Sequence, residues 1–145
     1  MNGKRVYQEI IQNIKGNVPL GGKFELTPRC TLDCKMCYVH LTKNQMKGIQ
    51  ELSTEQWLRI FEDACSRGLM FALLTGGECL LRPDFKELYT YLYDRGVSIT
   101  VNTNGTLVND AVIELFKERM PSEVQITVYG SDEEHYERVT GYRSF

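Results

Sequence analysis

The sequence predicts an α/β domain built on a parallel sheet, and three observations carry that expectation. Short segments with strand character recur four times. Between successive strands lies a stretch of helical periodicity, long enough for a right-handed crossover. The conspicuous polar motifs fall immediately after strands, at the edge where parallel α/β architectures bind ligands.

Taken in order, Val6, Ile10, Ile11 and Ile14 have helical spacing over Val6–Lys15, and Gly16, Pro19, Gly21 and Gly22 then break the chain. Lys23–Thr27 alternates and reads as the first strand. Ser53 with Gln56 forms a capping box. Trp57, Ile60, Phe61 and Ala64 then make one helical stripe that Gly68 ends. Met70–Thr75 is continuously apolar, as expected of a strand buried on both faces. Pro83 suits the first turn of a helix that Phe85, Leu88 and Leu92 continue to Gly96. Val97–Thr103 alternates as a third strand. Asn109 caps a helix through Ala111, Ile113, Leu115 and Phe116, which Pro121 ends. Val124, Ile126 and Val128 mark a fourth strand ending at Tyr129 and Gly130, and Asp132–Thr140 starts another helix.

With 145 residues the chain is long enough for one domain with its own core. A net charge of −2, with the signs mixed along the chain, leaves no electrostatic footprint for nucleic acid or an anionic membrane. The N-terminus has no apolar h-region, and no apolar run approaches the ~20 residues of a membrane span. The expected compartment is the cytoplasm. Five cysteines, three of them between Cys30 and Cys37, point to metal or redox chemistry rather than a disulfide framework.

Cys30, Cys34 and Cys37 follow the first strand at Cys-x3-Cys-x2-Cys spacing. Thiolates are the ligands of iron–sulfur clusters, which usually take four. Three on one loop would leave a fourth iron open to a substrate or cofactor. His40 follows Cys37 by three residues, so a structural zinc site of Cys30, Cys34, Cys37 and His40 is an alternative. Gly76, Gly77 and Glu78 close the second strand. The glycines permit close approach of backbone to a ligand, and Glu78 can accept a bond from an ammonium group. A plain glycine turn is the alternative. Ser98, Thr100, Asn102 and Asn104 share one face of the third strand, Gln125, Thr127 and Tyr129 one face of the fourth, and Glu25 and Thr27 one face of the first. Those faces line a polar cavity or are simply solvated.

Together, the cysteine spacing, Gly76-Gly77-Glu78, Thr103-Asn104-Gly105 and the stretch from Thr127 to Gly130 resemble the radical S-adenosylmethionine (SAM) superfamily. The resemblance implies a parallel-stranded partial (β/α)6 TIM-like barrel, here truncated to about four βα units, with residues 1–145 as the N-terminal portion of the core domain. It implies that Cys30, Cys34 and Cys37 ligate three irons of a [4Fe–4S] cluster whose fourth iron chelates SAM. Met36 would pack near the adenine, and Gly76, Gly77 and Glu78 would contact the methionine moiety. Asn104 and Thr127 would make polar contacts to the cofactor. An electron from a flavodoxin- or ferredoxin-type donor would cleave the sulfonium, and the resulting 5′-deoxyadenosyl radical would take a hydrogen atom from substrate. Cys37-Tyr38, the Leu74–Glu78 phrase and the segment from Tyr129 through His135 to Gly141 resemble the peptide- and protein-modifying branch. The implied substrate is therefore a peptide or protein, with no nucleic-acid or membrane partner. A zinc-stabilised binding module and an iron–sulfur electron carrier are the competing functions, the latter needing Cys79 as a fourth ligand.

The chain departs from the family pattern in two respects. Cys79 stands where proline is common, and a small apolar filler is its expected role. Cys65 is expected as helix packing and His135 as a surface residue. Strands five and six are missing, so the fourth strand is expected to be an uncovered apolar edge. This length of chain alone is expected to fold poorly or lack activity.

Overall fold

The computed structural model describes Gln8, residues 10–12, Gly16, residues 18–39, Leu41 and residues 43–143. Within the helix expected over Val6–Lys15, Gln8 and residues 10–12 are helical; Val6, Ile14 and Lys15 lie outside the described residues. The strands are β1 (Gly21–Glu25), β2 (Phe71–Thr75), β3 (Ser98–Thr103) and β4 (Glu123–Ile126). The helices are α1 (Lys43–Lys47), α2 (Thr54–Ser66), α3 (Phe85–Tyr93), α4 (Asp110–Glu118) and α5 (Glu133–Thr140). All three strand pairings are parallel and the sheet order is β1-β2-β3-β4. Each strand therefore lies beside its sequence neighbour, the winding of a TIM-like barrel segment.

The helices start where the caps predict. Ser53 accepts from Gln56 N and Gln56 bonds back to Ser53 N at 2.8 Å. Asn109 accepts from Val112 N at 3.1 Å. Asp132 accepts from His135 N at 2.9 Å and so caps α5, with His135 exposed at the surface in its first turn. Phe61, Leu74, Leu88, Tyr89, Leu92 and Val101 are fully buried between the sheet and the helices. Phe24 meets Phe61 edge to face at 5.0 Å, and Cys65 packs against this core.

Several boundaries differ from expectation for physical reasons. β1 begins two residues earlier, because parallel pairing of Gly21 with Phe71 carries both glycines into the ladder. β2 is not buried on both faces: Ala72 and Leu74 face the helices, while Phe71 is 47% exposed on the concave side. Pro83 precedes α3 rather than opening it: Asp84 is the N-cap, and its carboxylate makes no cap bond because Arg82 and Thr54 hold it. The ladder of β4 ends at Ile126, with one longer bond of 3.4 Å from Thr127 N to Thr103 O. Val124, Ile126 and Val128 are 38%, 54% and 66% exposed, so β4 is an uncovered edge among the described residues. None of the described helices is long and apolar enough to cross a membrane.

Candidate functional site

The three cysteines sit on the loop that leaves β1, and neighbouring elements tie that loop down on three sides. From β2, Gly77 N donates to Thr27 O at 2.7 Å and Glu78 N to Arg29 O at 2.8 Å. From α5, the carbonyls of Thr140 and Val139 accept from Asp33 N (2.8 Å) and Lys35 N (3.1 Å). From the end of β3, Asn104 Nδ2 reaches Thr31 Oγ1 at 3.0 Å and Cys30 Sγ at 3.5 Å, and the hydroxyls of Thr31 and Thr106 lie 2.7 Å apart. Inside the loop, Cys37 N bonds Cys34 O at 3.0 Å, a turn that keeps those two thiols near each other.

The paired glycines have a specific reason to be glycine. Gly76 adopts φ +141°, and a Cβ there would meet the backbone of Thr27. At Gly77 the backbone is ordinary, but a Cβ would come within 2.7 Å of Arg29 C and Pro28 O. The sequence suggested that these glycines let a ligand approach. On their Cβ side, what approaches is the chain's own Thr27–Arg29 backbone.

Glu78 is fully buried. Oε1 accepts from Leu80 N (3.0 Å) and Thr103 Oγ1 (2.9 Å), and Oε2 accepts from Asn104 N at 2.7 Å. The carboxylate thus fastens the end of β2 to the end of β3. Nearby, Arg82 is buried and donates to Leu26 O, Leu52 O and both oxygens of Asp84. Burial opposes the charge on Asp84, but the bonds from Arg82 and Thr54 outweigh it and hold its pKa below the usual value. Glu51 sits 3.6 Å from Arg82 and 2.6 Å from Arg29, joining this network to the cysteine loop.

All three loop cysteines are free thiols, Cys30 exposed and the other two half-buried. Burial raises the pKa of Cys34, and the neighbouring Cys30 and Cys37 raise it further. The three sulfurs therefore share one electrostatic neighbourhood, in which a cation favours the thiolates. Tyr129 belongs to the same neighbourhood: burial first, then Cys34 and Cys37, raise its phenol pKa. Among the described residues, no three His, Cys, Asp or Glu side chains converge on a single-ion position. A cubane takes each thiolate at a separate iron and needs no such convergence. His40 lies outside the described residues.

A cavity of about 530 Å³ opens beside Cys30, Cys37 and Gly77. A second, of about 480 Å³, is lined by Asn104, Thr127, Tyr136 and others, with Thr127 exposed. The Thr31–Thr106 bond links the wall of the first cavity to that of the second. Met36 is 58% exposed, free to offer apolar surface beside Cys37. Cys79 is completely buried, its thiol 3.3 Å from Asn102 O, and burial pushes its pKa well up. It is the packing residue expected from sequence. Sequence reasoning missed Arg82, Glu51, Thr31 and Thr106; the Arg82-x-Asp84 spacing was the one local signal for the first.

The model of the radical SAM superfamily matches residues 24–144. The PqqA peptide cyclase of Granulibacter bethesdensis is 34% identical over 123 residues, covering 85% of this chain and 32% of the cyclase. The Fe-coproporphyrin III synthase of Methanosarcina barkeri is 30% identical over 129 residues, covering 89% of this chain and 32% of the synthase. The chain thus spans about a third of the length of these curated relatives. Among solved structures, Streptococcus suis SuiB bound to its precursor peptide SuiA superposes with a TM-score of 0.72 at 19% identity. That alignment covers 97% of this chain and 32% of SuiB.

Proposed function

This chain belongs to the radical SAM superfamily, and on that footing we propose that it forms the cluster-binding part of a peptide-modifying radical enzyme. Cys30, Cys34 and Cys37 would hold a [4Fe–4S] cluster, leaving one iron for SAM. The observation that carries the reading is the tethered loop: its backbone is bonded to the residues that end β2 and α5, Asn104 at the end of β3 reaches Thr31 and Cys30, and burial together with the neighbouring thiols raises the pKa of Cys34. The donor set fits, because soft thiolates are the ligands such clusters take. When bound, the cluster and SAM would supply one-electron cleavage of the sulfonium to methionine and a 5′-deoxyadenosyl radical, which takes a hydrogen atom from substrate.

The chain's own residues position and shield. Gly76 and Gly77 let the cysteine loop press against the end of β2, and Glu78 locks β2 to β3, so the loop is held before any ligand arrives. Gly76, Gly77, Glu78, Asn104 and Thr127 form the sheet edge that would face SAM. Met36, exposed beside the third cysteine, would cover the adenine. An electron donor of flavodoxin or ferredoxin type would supply the electron for that cleavage. The free thiols and an oxygen-sensitive cluster suit a reducing, cytoplasmic setting.

A peptide substrate is favoured by the similarity to a peptide cyclase and by the superposition on SuiB. The comparable similarity to Fe-coproporphyrin III synthase supports, as a second reading, an enzyme whose product is an iron porphyrin. Anaerobic reconstitution tests the cluster itself. Four irons and four sulfides per chain, lost on replacing any one of Cys30, Cys34 or Cys37 by alanine, is the expected result. A colourless protein retaining one zinc would overturn it.

A further inference from the structure

We propose that Asn104 is a positioning residue that acts on the cluster through Cys30, donating an N–H···S bond that makes the cluster easier to reduce. The inference rests on the proposed cluster and concerns what this chain does to it. Asn104 Nδ2 lies 3.5 Å from Cys30 Sγ. Leu32 N supplies a second donor to the same sulfur at 3.4 Å. The orientation of the amide is set by its other end: Oδ1 accepts from Thr106 N at 3.0 Å and from Thr106 Oγ1 at 2.7 Å. Turning the amide over would put the carbonyl oxygen against the sulfur and set the amide nitrogen against Thr106 N, a donor facing a donor, so the nitrogen is the atom that faces Cys30.

The placement is also rigid. Asn104 N donates to Oε2 of the fully buried Glu78, whose other oxygen holds Leu80 N and Thr103 Oγ1. Thr31, one residue from Cys30, accepts from the same amide at 3.0 Å. A line of bonds thus runs from the buried carboxylate through Asn104 to one cluster thiol. Reduction adds negative charge to the cluster and its thiolates. A fixed N–H donor stabilises that charge more in the reduced form, and bonds to the sulfurs are one of the protein's controls on cluster potential.

The test is a potentiometric EPR titration of the anaerobically reconstituted protein, with iron per chain measured in parallel, on the parent, Asn104→Ala and Asn104→Asp. The expected result is an unchanged iron load in Asn104→Ala and a midpoint more negative by about a tenfold change in the reduction equilibrium, ~59 mV for one electron. Asn104→Asp replaces the N–H by an oxygen and should fall further. Variants that load fully and keep the parent's midpoint overturn the proposal. If neither variant loads, the parent decides: its reduced cluster, prepared with ¹⁵N-asparagine, should show a ¹⁵N hyperfine coupling, and its absence overturns the proposal. A parent that takes up no cluster refutes the function proposed above instead.

Discussion

Gly77→Ala isolates the idea that the second motif exists to seat the cysteine loop. The backbone at Gly77 is not in the left-handed region, so alanine brings no torsional strain; the whole effect is the added methyl. That methyl would sit 2.7 Å from Arg29 C and Pro28 O, and both are backbone atoms that cannot rotate away. The loop or the end of β2 must move by several tenths of an ångström. That movement stretches the bonds Gly77 N to Thr27 O and Glu78 N to Arg29 O, now 2.7 and 2.8 Å. Overpacking against a fixed partner costs about 1–3 kcal/mol, and each weakened backbone bond about 1 kcal/mol. A loss of about 3–5 kcal/mol is a large share of the ~5–15 kcal/mol that holds a domain. Urea unfolding of the apo protein measures it, and iron per chain after reconstitution reports the displaced cysteines. A variant that unfolds with the parent's midpoint and loads the parent's iron would refute the seating argument.

Other perturbations separate the parts of the account. Arg82→Met should cost about 3–5 kcal/mol, since it strands the Asp84 carboxylate and the carbonyls of Leu26 and Leu52; an unfolding free energy from urea titration lowered by less than about 1 kcal/mol would count against the network. Cys79→Ala should leave the reconstituted iron content unchanged, because that thiol is buried and bonded to Asn102 O; loss of the cluster would favour a four-cysteine electron carrier. The pKa of Asp132 is depressed from 3.8 to about 2, chiefly by the bond from His135 N and then by the His135 side chain. Its contribution to stability is complete above about pH 4 and disappears as the pH falls through about 2. Unfolding of the apo protein across this window should therefore show a steeper acid loss for the parent than for Asp132→Asn; superimposable profiles would contradict the assignment.

The parts legible in the sequence were those governed by local period and caps. The alternation of β3, the capping box at Ser53 and the Asn109 cap each rest on neighbours within four residues, and all three stand. The cysteine spacing was local too, so the loop was found. What the sequence hid was the long-range pairing that gives the motifs their work. Nothing local in Gly76-Gly77-Glu78 shows that Thr103 and Asn104, 25 and 26 residues away, bond the Glu78 carboxylate. Phe71 reads as buried because its run is apolar; the half-barrel leaves its concave face open. The docking of the α5 carbonyls on Asp33 and Lys35 joins residues more than a hundred positions apart and leaves no local trace.

The role proposed for the cysteine loop is to support radical chemistry. The direct measurement is 5′-deoxyadenosine formed when the protein, reconstituted at the full length of its relatives, is incubated anaerobically with dithionite and SAM. The account predicts 5′-deoxyadenosine and methionine in equal amounts, dependent on reductant and abolished in Cys30→Ala, Cys34→Ala or Cys37→Ala. Absence of both products from a protein carrying an intact [4Fe–4S] cluster would contradict it.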